Sequence, residues 1–271
     1  MGRCNMNEHK EYATNRWNLY EFQTVYEREQ SAVWYCQSAN FGSVVLKWNS
    51  TGQLDSEYRM LSRLQGGACC KVYGYDKERG LLLEERILPG TVLREETSLE
   101  KRVAVLASVF REIHPPQNDG ETYLDWLDRA CAFCGSDDVP GDLARLAQRA
   151  REICAGLFEK YPERVLLHGD LHHDNLLCKT DESYAVIDPK GVVGPEILDL
   201  PRFLLNEGDF GDSDHMGKVI SLVSQACGYP EGDLRQALFM EAVLANVWCV
   251  EDGLPVREHW MNLCLRRTQD E

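Results

Sequence analysis

Short apolar runs separated by turn residues dominate the first third of the sequence, and each run has the length of a strand. Between the third and fourth runs, apolar side chains recur at helical spacing over residues 55–64, which predicts one amphipathic helix. The Leu88-Pro89-Gly90 step then breaks the pattern. The predicted strands cover residues 18–26, 31–37, 44–48 and 81–87.

Helical periodicity replaces the short runs after residue 90. Thr97-Ser98-Leu99-Glu100 fits the S/T-x-x-E capping box, so a helix is expected to begin there and to end before Pro115-Pro116. Three further apolar runs predict short buried strands around a loop. The later helices are expected at residues 123–134, 142–161, 215–227, 233–252 and 256–267, and these strands at residues 165–167, 176–178 and 184–187.

This order of elements predicts an α+β protein with two lobes. Strands come first, helices follow, and a small β insert interrupts the helical part. We therefore expect a small β-rich N-terminal lobe at residues 1–88 and a larger helical C-terminal lobe at residues 89–271. With 271 residues and a mass of 30.9 kDa, the chain is long enough to bury the core that such a fold needs.

Charge and cysteine content narrow the classes of function. A net charge of −15 disfavours nucleic-acid binding, because a polyanion would be repelled. The charge suits a cationic small-molecule substrate, and charge for solubility is an equally good interpretation. The sequence contains 11 cysteines, and its N-terminus lacks the apolar core of a secretion signal. No apolar stretch is long enough to cross a bilayer. We therefore expect a cytoplasmic protein with reduced thiols and no membrane partner. We also expect a monomer or a weak dimer.

The acidic residues after residue 206 are candidate contacts for a cation, although a solvated loop is the more ordinary interpretation. One cluster is Glu207, Asp209, Asp212 and Asp214, and the other is Glu251 and Asp252.

The densest chemistry lies in the loop His168-Gly169-Asp170-Leu171-His172-His173-Asp174-Asn175, with Asp188 following it. An H-x-D-x-x-x-x-N loop and a second Asp after the next strand is the arrangement that phosphoryl transfer uses. Asp170 would accept a hydrogen bond from an acceptor hydroxyl and take its proton. Asn175 and Asp188 would supply the hard oxygen ligands that Mg²⁺ prefers. The alternative is an ordinary turn rich in Asp and Asn.

A lysine and a glutamate in the N-terminal part complete this arrangement. Lys47 lies in the apolar strand Val44-Val45-Leu46-Lys47-Trp48, and Glu57 lies in the following amphipathic helix. A strand lysine that contacts the phosphates of ATP and is held by a helix glutamate is typical of kinases. Taken singly, Lys47 could be an edge-strand lysine and Glu57 a solvated helix residue.

These motifs resemble the aminoglycoside phosphotransferase family, within the protein-kinase-like fold. The loop is similar to the H-G-D-x-H-x-x-N of that family. Ile187-Asp188-Pro189-Lys190-Gly191 in place of D-F-G, followed by residues 198–204, resembles its streptomycin and hydroxyurea phosphotransferase branch. The resemblance runs from about Lys47 onward and is strongest over residues 166–204.

The resemblance implies a role for each motif residue. Asp170 would be the catalytic base, Asn175 and Asp188 the Mg²⁺ ligands, Lys47 the phosphate-binding lysine of the ATP site, and Glu57 its partner. His168 and Asp199 would have structural roles and shape the loop. His172 and His173 are not assigned to a metal.

One part of the nucleotide site departs from the usual kinase pattern. Residues 25–33, where a Gly-rich loop would cover the phosphates, contain no glycine. Backbone amides or the Ser31 hydroxyl are expected to contact phosphate instead, and the choice between ATP and GTP stays open. The adenine edge is expected to bind the main chain after the fourth strand, at Glu84, Glu85 and Ile87.

The sequence therefore predicts an ATP- and Mg²⁺-dependent O-phosphotransferase that acts on a hydroxyl of a small molecule, in the first place a streptomycin-type aminoglycoside in antibiotic resistance. The alternatives are a kinase of another small hydroxylated metabolite or drug such as hydroxyurea, and a catalytically silent nucleotide-binding protein. A protein kinase is disfavoured, because the step from Asp188 to Asp199 leaves no room for a long activation loop.

Overall fold

A computed structural model of the chain divides it into two units, and each unit joins two separate stretches of sequence. The first comprises Met1–Glu95 and Asp174–Gly191, and the second comprises Glu96–His173 and Val192–Glu271. The lobe boundary expected at residue 88 stays a prediction, because each of these units joins two stretches of chain and no single residue separates them. The structure describes residues 6–64, 66–135, 139, 141–207, 213–260 and 262.

Strands and helices are numbered along the chain. The strands are β1 (Leu19–Glu27), β2 (Ser31–Ser38), β3 (Gly42–Asn49), β4 (Val72–Asp76), β5 (Leu81–Glu85), β6 (Pro89–Val92), β7 (Val165–Leu167), β8 (Leu176–Lys179), β9 (Tyr184–Val186) and β10 (Val192–Gly194). The helices are α1 (Met6–Trp17), α2 (Leu54–Leu64), α3 (Leu99–Phe110), α4 (Tyr123–Cys134), α5 (Gly141–Lys160), α6 (Leu200–Glu207), α7 (Ser213–Cys227) and α8 (Glu231–Glu251).

The first unit contains two antiparallel sheets, in the orders β1-β2-β3-β5-β4 and β6-β8-β9. Trp34, Leu46 and Leu83 are cross-strand neighbours on β2, β3 and β5, and all are fully buried. This core row packs with Ala13 and Trp17 of α1. Because side chains alternate between the faces of a strand, residues next to the core row point to the other face of the sheet.

The second unit is helical and has α8 at its centre. This helix packs against α4, α5, α6 and α7. Its buried residues lie between Asp233 and Val247 and occupy all sides of the helix, as expected for a central helix. The two short strands β7 and β10 pair antiparallel in the same unit and flank the segment that carries Asp170. Within the described ranges, no helix combines the length and apolar character that a bilayer span requires.

Most predicted elements are present, and the α+β prediction is confirmed. The helix predicted at residues 123–134 is α4, and those at 142–161, 215–227 and 233–252 correspond to α5, α7 and α8. Residues 258–260 are helical and residues 256 and 257 are not, and half of the helix predicted at 256–267 lies outside the described residues.

Two local predictions need correction. The cap of α3 is Ser98 rather than Thr97, because the Ser98 hydroxyl accepts a hydrogen bond from the Lys101 N–H at 3.3 Å. Helix α1 was not predicted, since it buries only Ala13 and Trp17 and has almost no apolar stripe. Its docking relies on β4 instead: a Cβ at Gly74 would lie 2.5 Å from Trp17 Nε1, so only glycine leaves room for the indole.

Candidate active site

Lys47 lies on β3, on the face of the sheet opposite to the core row. The residue is 8% exposed. Its Nζ atom forms ion pairs with Glu57 of α2, with Asp188 beyond β9, and with Glu84 of β5, the last at 2.9 Å. Glu84 reaches Lys47 because diagonal neighbours on adjacent antiparallel strands share a face and lie within reach of long side chains.

This lysine cluster, Lys47 with Glu57, Glu84 and Asp188, carries excess negative charge. Burial alone would lower the pKa of Lys47, but the three carboxylates hold that pKa well above its usual range, so the lysine stays charged. Burial raises the pKa of Glu57 well above its usual range; Lys47 opposes this shift, and the charges of Glu84 and Asp188 add to it. Ionised Glu84 and Asp188 alone carry two negative charges against one positive charge, a formal −1, and ionisation of Glu57 would make it −2.

Asn175 and Asp188 lie at the same end of the β8–β9 hairpin. Leu176 pairs with Val186 at this end, and the Ile187 N–H donates to the Asn175 carbonyl oxygen at 3.1 Å. Asp188 has a φ of 60°, which is an uncommon conformation for a residue other than glycine and is typical of functional loops.

The donor set of this region fits a divalent cation. Oxygen atoms of Glu57, Glu84 and Asp188 lie within 4.8 Å of one another, and the Asn175 amide adds a neutral oxygen at the same hairpin end. Hard carboxylate and amide oxygens are the ligands that Mg²⁺ takes in proteins. The excess negative charge of the lysine cluster favours such an ion.

Gly191 closes the Asp188 segment against α2. Its φ is 67°, and a Cβ there would lie 2.7 Å from the Ser56 carbonyl oxygen. A larger residue would therefore strain the backbone and clash with it, which explains the glycine that ends this motif.

The β1–β2 turn, at the position of a kinase Gly-rich loop, is formed by residues 28–30. The Arg28 N–H donates to the Ser31 carbonyl oxygen at 2.8 Å, and Ser31 begins β2. Glu27, at the end of β1, accepts a hydrogen bond from Trp34 Nε1 at 2.6 Å. Side chains of the same unit thus fix this turn, and the phosphate contact expected at Ser31 stays a prediction.

The main chain expected to contact adenine is partly engaged in the sheet. Glu84 pairs with both β3 and β4, so its backbone belongs to the ladder while its side chain contacts Lys47. The N–H groups of Glu85 and Arg86 donate to main-chain carbonyl oxygens at 2.8 and 3.2 Å. These N–H groups are thus engaged within the unit, and the adenine contact expected at Glu84, Glu85 and Ile87 stays a prediction.

Asp199 holds the loop of the second unit that carries Asp170. Its carboxylate accepts hydrogen bonds from the N–H groups of His168 at 2.8 Å and Gly169 at 2.7 Å, and it lies 2.9 Å from His114 Nε2. Gly169 has a φ of 73°, a conformation that glycine adopts without strain. The Asp170 N–H donates to Nδ1 of the buried His168 at 3.2 Å, so both the histidine and Asp199 shape the loop.

Asp170 lies beside two side chains that the sequence reasoning did not place there. Arg202 Nε lies 3.3 Å and His172 Nε2 lies 3.6 Å from Asp170 Oδ1. Arg202 belongs to α6, and its Nη2 lies 2.7 Å from Oε1 of Glu241 on α8. The one available signal was the position of Arg202 three residues after Asp199, because helical residues at that spacing share a face.

His173 and Glu207 form a separate buried cluster with Arg102. His173 Nε2 lies 2.8 Å from Glu207 Oε1, and the Arg102 guanidinium donates to both Glu207 oxygens at 2.6 and 2.7 Å. Glu207 is thus buried and paired, and the solvated loop expected there is wrong for this residue. Asp209 and Asp212 lie outside the described residues.

Comparison with known proteins gives one family for this chain. A family model described as aminoglycoside/hydroxyurea antibiotic resistance kinase matches residues 16–253. A hydroxyurea phosphotransferase of Kitasatospora aureofaciens is 30% identical over 207 residues, which are 71% of this chain and 58% of that protein. A streptomycin 3''-kinase of Klebsiella pneumoniae is 24% identical over 214 residues, 73% of this chain and 77% of that protein. The chain therefore spans less than two thirds of the hydroxyurea phosphotransferase.

Solved structures share the fold at low sequence identity. A choline kinase, LicA of Streptococcus pneumoniae, superposes with a TM-score of 0.69 at 16% identity, covering 97% of both chains. The aminoglycoside phosphotransferase APH(4)-Ia, in a ternary complex with ADP and hygromycin B, gives a TM-score of 0.63 at 16% identity over 90% of this chain and 91% of that one. These similarities confirm the protein-kinase-like fold, with a β-rich N-terminal lobe and a helical C-terminal lobe.

Proposed function

Because the chain belongs to the aminoglycoside/hydroxyurea antibiotic resistance kinase family, we propose that it transfers the γ-phosphoryl group of ATP to a hydroxyl of a small molecule. The observation that carries the proposal is the lysine cluster of the first unit together with the Asp170 loop of the second. The first supplies a charged lysine and metal ligands, and the second supplies a carboxylate for the acceptor. A nucleotide-binding protein without chemistry has no need of the second.

The roles in the reaction follow from the residues. Lys47, kept cationic by its carboxylate partners, binds the phosphates of the nucleotide. Asp170 accepts the hydroxyl proton while the acceptor oxygen bonds to the γ-phosphorus and the bond from that phosphorus to the ADP oxygen breaks. Main-chain groups at Glu84, Glu85 and Ile87 bind the adenine edge, and Ser31 with the β1–β2 turn contacts the phosphates.

The residues that would hold Mg²⁺ are Asp188 and Asn175, which lie at one end of the β8–β9 hairpin. The chemistry that this ion supplies when bound is neutralisation of charge on the β- and γ-phosphates. The role of Glu57 is to hold Lys47 in place. Glu84 adds a second buried carboxylate on the same ammonium.

The acceptor that we propose first is an aminoglycoside of the streptomycin type. Streptomycin kinases and a hydroxyurea phosphotransferase are among the relatives, and the net charge of −15 favours a cation. Hydroxyurea or another small hydroxylated compound is the second candidate. We propose a cytoplasmic location, because ATP is the phosphoryl donor and the cysteines within the described residues are free thiols. We also propose that the enzyme acts as a monomer or weak dimer.

The proposal is tested by offering the purified protein ATP and Mg²⁺ with streptomycin, hydroxyurea, choline and simple sugars in turn. We expect release of ADP and a product heavier by one phosphoryl group with at least one of them, and no product with Asp170→Asn. Binding of ATP without turnover on any acceptor would favour the catalytically silent alternative. Phosphorylation of a generic protein substrate at a comparable rate would contradict a small-molecule enzyme.

A further inference from the structure

Arg202 lies between the carboxylates of Asp170 and Glu241, all three in the second unit. Its Nε is 3.3 Å from Asp170 Oδ1, and its Nη2 is 2.7 Å from Glu241 Oε1. The side chain is 15% exposed. These contacts are close ion pairs, whereas neither Arg202 Nε nor Glu241 Oε1 has a well-aligned hydrogen bond among the described residues. One guanidinium therefore joins the proposed catalytic carboxylate to a second, deeper one.

Glu241 is fully buried in the central helix α8, a position where an ionised carboxylate needs partners. Its second oxygen accepts a hydrogen bond from the Tyr123 hydroxyl of α4. On the other side of Arg202, the Trp248 ring lies 5.3 Å from the guanidinium carbon, which is within cation–π range. The Glu241 carboxylate and the Trp248 indole thus hold the guanidinium, and the Tyr123 hydroxyl holds Glu241 in turn.

We infer that Arg202 is the positioning residue for Asp170, and this inference rests on the proposed function. Arginine suits the role because its planar, permanently charged guanidinium presents several donors at fixed angles and can join two carboxylates at once. Anchored by Glu241, it holds the Asp170 carboxylate in one orientation toward the acceptor hydroxyl. Misplacement of a reacting group by about 1 Å can cost about a hundredfold in rate.

The same contacts would also exist if Arg202 only neutralised Glu241. In that case, loss of the guanidinium would lower stability and leave the turnover of the folded protein unchanged. Under our inference the loss falls on kcat, and nucleotide binding, which uses other residues, is unchanged. Charge at the vacated position should then restore turnover.

The experiment compares Arg202→Ala with the unaltered protein on an acceptor that it phosphorylates. We expect kcat to fall about a hundredfold, with KM for ATP changed less than about threefold. Guanidinium chloride, far below unfolding concentrations, should recover about tenfold of the lost kcat, whereas urea, which is planar but neutral, should not. Lys160→Ala is the matched control, because Lys160 also pairs with a carboxylate of α8, Asp233 at 2.6 Å. It should show neither effect.

Two further variants keep the outcomes separate. If Arg202→Ala does not fold, Arg202→Ala with Glu241→Gln removes the stranded carboxylate and is tested in the same way. A folded variant whose kcat stays within about threefold, or whose lost kcat recovers equally with urea, overturns the inference. Asp170→Asn is run in parallel: if it also keeps full turnover, the failure lies in the proposed function and not in the role of Arg202.

Discussion

The two charged clusters of this protein differ in the kind of cation that their carboxylates share and in the number of carboxylates around it. In the first unit, three carboxylates surround the single ammonium of Lys47, and the set is short of positive charge. In the second, the guanidinium of Arg202 lies between Asp170 and Glu241, so one cation faces two carboxylates rather than three. We therefore propose that a cation and a nucleotide from solution complete the first cluster, whereas the second orients Asp170 without an added ion.

The choice of cation in each cluster fits this division. An ammonium on a flexible stem is a point charge that can turn from carboxylates to phosphates, and Lys47 is held by carboxylates that phosphates could replace. A guanidinium is planar and keeps its geometry, and Arg202 is also fixed by the Trp248 ring. If this division is correct, substitutions in the first unit should act on nucleotide binding and those in the second on turnover.

The largest effect is expected from Asp170→Asn. The amide cannot accept the hydroxyl proton, so turnover should fall about a thousandfold while the Kd for an ATP analogue stays within about twofold. Steady-state kinetics and calorimetric titration measure the two quantities. Asp174→Asn is the control on the same loop, because Asp174 forms an exposed ion pair with Arg94 at 2.7 Å and should change turnover little. A loss of nucleotide affinity in Asp170→Asn with turnover intact would break the comparison.

The next effect is expected from Asp188→Asn, on nucleotide affinity. Without this carboxylate, Mg²⁺ should no longer improve ATP binding, and the Kd in the presence of Mg²⁺ should rise about a hundredfold. Calorimetric titration with and without Mg²⁺ measures this. Asp181→Asn, in the exposed turn at the far end of the same hairpin, should retain the full Mg²⁺ effect. A variant that keeps its Mg²⁺ dependence would remove Asp188 from the metal site.

How much the sequence could predict depends on the range of each contact. Asp170, Asn175 and Asp188 lie within one loop and one hairpin, so their spacing along the chain is enough to identify them. For Glu84, the sequence predicted only a main-chain contact with adenine. The contact of its side chain with Lys47 depends on the register of β3 against β5, which the sequence does not give. Arg202 and Glu241 meet through the packing of α6 on α8, which no spacing along the chain encodes. Helix α1 was missed because two buried residues give no periodic pattern.

A smaller effect, which sharpens the account of the lysine cluster, is expected from Glu84→Gln. One oxygen of Glu84 contacts Lys47, and the other is buried without a hydrogen-bond partner among the described residues. The carboxylates compete with the phosphates of ATP for the Lys47 ammonium. Removing the Glu84 charge weakens this competition, so ATP without Mg²⁺ should bind up to about tenfold more tightly. The titration is repeated with Glu78→Gln, an exposed residue of the same unit, as control. Weaker metal-free binding would mean that Glu84 positions Lys47 rather than competing for it.

The smallest effect concerns stability, at the buried cluster of Arg102, His173 and Glu207. Burial would raise the pKa of Glu207, but hydrogen bonds from Arg102 and His173 outweigh it and lower that pKa from 4.5 to about 2. A depressed carboxyl pKa contributes stability that is complete above pH 4.5 and is lost as the pH falls toward about 2. Glu207→Gln should therefore lower the free energy of unfolding by about 1.5 kcal/mol at neutral pH.

The pH dependence distinguishes this pairing from a simple packing loss. Urea unfolding at pH 7 and at pH 3.5 should show the gap between Glu207→Gln and the unaltered protein becoming narrower at the acid pH. Below pH 4.5 the Glu207 carboxyl takes up a proton in the unfolded chain but stays ionised in the folded one, and this stabilises the unfolded state of the unaltered protein alone. Asp128→Asn, whose exposed carboxylate pairs with Arg151, should show only a small gap at either pH. A gap that stays constant with pH would mean that Glu207 contributes by shape alone, and that the charge pattern of the second unit is confined to Arg202 and its two carboxylates.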